Sequence, residues 1–79
     1  MPKTNLSQND YVIKLRDALI EQAILYIKGQ AITQAEAANL MGVSQPRISD
    51  LMRRKNQKFS IDMLVTMLDR VDIKVKFTV

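Results

Sequence analysis

The sequence predicts a mostly α domain, four helices followed by a C-terminal β-strand, and three observations carry that reading. Apolar residues recur every 3.6 residues in two stretches, about 10–28 and 61–70. Between them, Thr33, Gly42, Ser44 and Pro46 stand where two short helices would begin and turn. From Val71 onward the apolar period drops to two. The chain then divides into a flexible polar N-terminus at 1–9, a helical domain at 10–71 and a terminal strand at 72–79. Its 79 residues make one domain, near the size below which a lone core needs help from metals or disulfides.

The first helix is expected from a cap at Asn9 or Asp10 to about Lys28. Val12, Ile13, Leu15, Leu19, Ile20, Ala23, Ile24 and Ile27 share one face, read as core, while Lys14, Asp17, Glu21 and Lys28 fall on the other. Gly29 is placed to end the helix in a left-handed C-cap. Thr33-Gln34-Ala35-Glu36 is a capping box, which gives Glu36 a structural task and no catalytic one. Ala38 suits a close helix crossing, and Gly42, four residues on, suits a turn at positive φ. Ser44 caps the third helix, with Pro46 in its first turn, where a missing N–H costs nothing. Ile48, Leu51 and Met52 point inward, and successive 100° rotations put Gln45, Pro46, Ser49, Asp50 and Arg53 outward, with Arg47 and Arg54 flanking. Asn56 to Lys58 reads as a polar loop, and Ser60 caps a fourth helix running to about Arg70. In the tail, Val71, Ile73, Val75, Phe77 and Val79 alternate with Asp72, Lys74, Lys76 and Thr78. No second strand is visible to pair with it. Two copies pairing antiparallel would bury Ile73, Val75, Phe77 and Val79 in a dimer, the alternative being a tail packed on its own helices.

Charge is unevenly distributed. The net charge of +4 comes from 12 Lys plus Arg against 8 Asp plus Glu. Residues 43–58 hold five of the cations and one carboxylate, Asp50; the rest of the chain is balanced. A positive excess confined to one helix and its following loop points to a polyanionic partner. The absence of His and Cys excludes disulfides, thiolate zinc sites, imidazole ligands and Cys/His nucleophiles, so no metal and no cofactor are expected. The carboxylate pairs Asp17/Glu21 and Asp69/Asp72 read as solvated helix-face charges, so an enzyme is not expected. No apolar signal segment is seen near the N-terminus, and the longest apolar run, Ala23 to Ile27, is far too short to cross a bilayer, which makes a cytoplasmic protein the expectation.

The run ITQAEAANLMGVSQPRISDLMRRKNQKFSIDMLVTML, followed by VDIKVKFTV, resembles the XRE or Cro-repressor-like helix-turn-helix family, and within it the HigA-type antitoxin branch. Two positions depart from that pattern: Lys55-Asn56 and Val71-Asp72 stand where the family usually has glycine. The resemblance implies a repressor-like domain whose third helix lies in the DNA major groove while the second crosses the backbone. Gln45, Arg47, Ser49, Asp50 and Arg53 are then the base-reading candidates, with Asp50 alternatively orienting a neighbouring arginine. Gln34, Ser44, Arg54, Lys55 and Lys58 are the phosphate-binding candidates. The implied function is a dimeric, sequence-specific repressor on a palindromic operator, acting as an antitoxin that represses its own operon and binds a RelE-like ribonuclease toxin. A stand-alone or phage-type regulator, and a protein-binding module that no longer reads DNA, are the alternatives.

Overall fold

The computed structural model describes the backbone of residues 2–76 and the side chains of residues 10–76. Four helices follow one another: α1 (Pro2–Gln30), α2 (Gln34–Met41), α3 (Gln45–Met52) and α4 (Ile61–Asp69), with a 3₁₀ turn at Asn56–Lys58 between the last two. The molecule measures 46 × 23 × 18 Å. The 29 residues of α1, at about 1.5 Å each, account for the long dimension. Its second half packs chiefly on α4, while α2 and α3 pack on each other. The core is built from Leu19, Ile20, Ala23, Ile24 and Ile27 of α1, Ala37, Ala38 and Met41 of α2, Ile48 and Leu51 of α3, Phe59, and Leu64, Met67 and Leu68 of α4.

Two expectations about α1 are corrected. The helix starts at Pro2 rather than at a cap at Asn9 or Asp10. No further Pro and no Gly lies between Pro2 and Asp10, so the hydrogen-bond ladder meets no strong breaker there. The helix also runs through Gly29 to Gln30, and the left-handed residue that follows is Ala31, at φ 54°. As a consequence the apolar stripe outruns the body it was expected to cover. Val12 and Ile13 remain 48% and 46% exposed, while Ile20 and Ala23 of the same stripe are fully buried.

The short helices begin as the sequence indicates. Thr33 and Glu36 exchange both capping-box bonds, at 2.8 and 3.1 Å. The Ser44 hydroxyl accepts the Arg47 N–H, and that of Ser60 accepts the Met63 N–H. How they end explains the tight connections. Gly42 sits at φ 73° and the Val43 N–H reaches back to the Ala38 carbonyl. Arg54 sits at φ 56°, with the Lys55 N–H on the Asp50 carbonyl and its own N–H on Leu51. Asp72 sits at φ 64°, with the Ile73 N–H on the Leu68 carbonyl and its own on Asp69. These are Schellman endings, which satisfy orphan carbonyls while reversing the chain. The Asp72 position coincides with one of the two missing family glycines. The other lies one residue earlier than Lys55-Asn56, at Arg54.

The C-terminal strand is also corrected: among the described residues there is no β-strand, and residues 73–76 carry no regular secondary structure. A strand exists only through ladder bonds to a neighbour, and the described chain supplies none. The period of two survives as burial instead. Val71, Ile73 and Val75 are half-buried against the chain's own core, while Asp72, Lys74 and Lys76 are exposed. The Lys74 ammonium pairs with Asp69, which raises the lysine's pKa and holds the turned-back tail to α4. Phe77 and Val79 lie outside the described residues.

Gly42 offers a direct test of the α2–α3 turn. A Cβ there would be strained by the positive φ and would run into the Arg70 side chain, which is flexible enough to move aside. Backbone strain therefore dominates, and Gly42→Ala should cost about 1–2 kcal/mol, read as a lower midpoint in thermal or denaturant unfolding with unchanged helical signal.

Candidate nucleic-acid interface

The outer face of α3 is polar because its apolar residues are all committed inward: Ile48 and Leu51 are fully buried and Met52 is half-buried. Gln45 and Pro46 stand exposed at its N-terminal end, with half-buried Ser49 one turn on. Together with Gln34 at the start of α2 they line a shallow groove of about 350 Å³. Two amide side chains and a hydroxyl therefore border one concave surface at the α2–α3 junction. Such groups hydrogen-bond with equal ease to base edges or phosphate oxygens. Ser44, also exposed, uses its hydroxyl as acceptor for the helix cap and keeps its O–H as a donor.

The basic residues around that face are less uniform than their sequence run implies. Arg47 is turned away from the groove: its Nη1 donates to the Lys58 carbonyl at 3.1 Å, and its guanidinium lies 5.5 Å from the centroid of the buried Phe59 ring. Asp50, which could have oriented a neighbouring arginine, makes no ion pair with Arg47, Arg53 or Arg54. Its carboxylate instead faces Lys58 at 3.5 Å and Lys55 at 3.9 Å, and its carbonyl accepts the Lys55 N–H. Arg53 is the C-cap of α3, one residue beyond the helix, and is exposed. Among the described residues it makes no side-chain hydrogen bond or ion pair.

Arg54 has a partner that sequence spacing does not reveal. Its guanidinium makes two hydrogen bonds to Glu21 of α1, at 2.7 and 3.0 Å. Those bonds hold the Glu21 carboxyl below the usual carboxylate range, with the Arg54 charge adding a smaller effect, and raise Arg54 in turn. Asn56, expected in a solvated loop, is half-buried and donates to Asp17 of α1 at 2.8 Å. Phe59, Asp17 and Glu21 are thus residues the sequence reading gave no part in this region, though they set it. The only hint in the sequence was a large aromatic in an otherwise polar segment.

A family model described as a helix-turn-helix domain, HTH_37, matches residues 5–79. The chain belongs to the helix-turn-helix domain family. That family is related to the XRE-type helix-turn-helix, and a DNA-binding regulator is the role it implies. In this helix-turn-helix protein α2 and α3 are the paired helices and Gly42 the turn between them. No curated protein matches the chain. No helix among the described residues is long and apolar enough to cross a membrane.

The Glu21–Arg54 pair predicts a pH dependence. Glu21 has a folded pKa below its unfolded value, so its contribution to stability is complete above about pH 4.3 and lost as pH falls through the depressed value. Glu21→Gln should be less stable than the parent near neutrality, and the gap should close in acid. Denaturant titrations between about pH 7 and about pH 3 check this; a gap that stays constant over the range would show that the ion pair contributes nothing.

Proposed function

We propose that this protein is a sequence-specific DNA-binding repressor that works as a homodimer and serves as the antitoxin of a toxin–antitoxin operon. The observation that carries the DNA reading is the polar α3 face beside Gln34, on the segment 43–58 that holds the chain's positive excess. On this reading α3 enters the major groove with Gln45 foremost. Gln45 and Ser49 read base edges, Gln45 suiting adenine. Arg53 reaches guanine from the far end of the helix. Arg47 and Asp50 support that face: the first ties α3 to Lys58 and Phe59, the second gathers Lys55 and Lys58. Gln34, Ser44, Lys55 and Lys58 hold phosphates. The exposed pairs of Lys55 and Lys58 are long enough for either ammonium to leave Asp50 for a phosphate at little cost. Arg54 joins them only by sharing its guanidinium with Glu21.

One α3 covers half an operator, and a two-fold pair of chains would read half-sites about one helical turn, roughly 34 Å, apart. Tyr11, Val12 and Ile13, exposed on the protruding half of α1, supply apolar surface for contact with another chain. The antitoxin role rests on the HigA-type resemblance. Its partner would be a small basic RelE-like ribonuclease, and co-expression with a neighbouring reading frame of that kind, followed by co-purification, separates this role from that of a stand-alone regulator.

Two binding predictions follow from the assigned contacts. Against an operator selected from a random duplex pool, Gln45→Ala and Arg53→Ala should each relax preference at one base position, by about 1–3 kcal/mol. Lys58→Ala should weaken all duplexes alike and reduce the salt slope by about one. Fluorescence anisotropy on cognate and scrambled duplexes checks both, and equal losses on the two duplexes for all three variants would sink the groove assignment. Light scattering across protein concentrations checks the oligomer, with dimer mass expected and monomer mass contrary to the proposal.

A further inference from the structure

Of the four side chains that line the groove at the α2–α3 junction, Gln34, Gln45 and Ser49 end in amide or hydroxyl groups, and Pro46 alone carries no polar atom. Its ring is exposed, so packing in the core does not account for it. Proline has a local reason to stand in the first turn of a helix, where its fixed φ is suitable and its missing N–H costs nothing. That missing N–H also narrows what this end of α3 can hold. The Arg47 N–H is already taken by Ser44, which leaves only the Gln45 N–H among the first three residues. A phosphate seated at a helix N-terminus uses several free N–H groups. The tip of α3 is therefore better suited to a base edge than to the DNA backbone.

The base edges of the major groove present donors, acceptors and one apolar group, the C5-methyl of thymine. Gln45 and Pro46 are neighbours in the chain, with Cα atoms about 3.8 Å apart, close to the rise of about 3.4 Å between successive bases of one strand. With Gln45 on an adenine, the Pro46 ring falls about one base step away. A methyl group against that ring sheds water from two apolar surfaces. The exocyclic amine of cytosine in the same place would lose its water and gain no acceptor. We propose that Pro46 is a specificity-determining residue, which selects thymine through its C5-methyl at the base step beside the adenine assigned to Gln45. This role rests on the DNA reading of α3 and adds to it a base identity that no hydrogen bond supplies.

The test uses the full-length protein and an operator selected from a random duplex pool. Each thymine of a half-site is replaced in turn by uracil, which removes the methyl and keeps every hydrogen-bonding group, and affinity is read by fluorescence anisotropy. Uracil beside the Gln45 adenine should weaken binding about fourfold, the equivalent of one buried methyl group. In Pro46→Ser the thymine and uracil duplexes should bind equally at that position, with the preference for adenine at Gln45 and the helical signal retained. A proline that only starts the helix would, when replaced, weaken both duplexes alike and leave the uracil penalty in place. That result overturns the proposal. So does an operator with no uracil-sensitive thymine beside the adenine whose preference is lost in Gln45→Ala. A protein that prefers no duplex over a scrambled one overturns the DNA reading and this role together, so the two failures are told apart.

Discussion

A left-handed residue follows each of the four α-helices among the described residues, and the architecture depends on those four reversals. Ala31, Gly42, Arg54 and Asp72 take φ values of 54°, 73°, 56° and 64°. Each turns the chain within a few residues, which is how 79 residues fit four helices around one core. The constraint is sharpest at Gly42. The Val43 N–H must reach the Ala38 carbonyl for α2 and α3 to meet at their close crossing, and that bond requires the positive φ. Elsewhere the chain places side chains in a conformation that disfavours them and surrounds them with compensating contacts. Arg54 is clamped to Glu21, and the turn at Asp72 is closed by the Lys74–Asp69 pair.

The same contacts organise the charge. Five cations lie close together after Val43, and mutual repulsion would spread them if nothing intervened. Asp50 gathers Lys55 and Lys58, Glu21 takes Arg54, and Arg47 is drawn to the Lys58 carbonyl and the Phe59 ring. The carboxylates therefore shape the basic loop without neutralising the surface as a whole. Exposed pairs of this kind contribute little to stability individually. Their effect is on where each positive group points.

What could be read from the sequence was local. The capping box at Thr33, the turn at Gly42, the cap at Ser44 with Pro46 and the inward set Ile48, Leu51 and Met52 each follow from a few neighbouring residues, and all appear in the structure. Misplaced features depended on something distant or absent. Gly29 looked like a terminator, but helix continuation costs a glycine only about 1 kcal/mol, too little to stop a 29-residue helix. The partner of Arg54, Glu21, lies 33 positions away, beyond the reach of local spacing. The tail's period of two specified which side chains turn inward and was silent on what lies opposite. Val71, Ile73 and Val75 meet the core of the same chain rather than a neighbouring strand. At the interface, periodicity put Gln45 outward and Arg47 on the flank but could not give the direction of the long side chain. Both stood among the base-reading candidates, and only the structure shows Arg47 on Lys58 and Phe59.

Arg53 shows how these levels meet. It is the C-cap of α3, with φ −87° and ψ 3°, immediately before the left-handed Arg54. Its side chain leaves from backbone whose path is fixed on one side by α3 and on the other by the Arg54 turn. That turn is tied to α1 through Glu21, and the loop beyond it through the Asn56–Asp17 bond. On the proposed reading, then, the aim of a base-reading arginine is set partly from α1, a helix that carries none of the assigned DNA contacts. Loss of the Glu21 carboxylate would leave Arg53 chemically intact yet free it to sample other directions. The expected consequence falls on discrimination between operators more than on affinity for DNA in general, because Lys55 and Lys58 would still find phosphates. This separates a positioning role for Glu21 from a purely electrostatic one. Removing a negative charge should otherwise strengthen binding to every duplex alike.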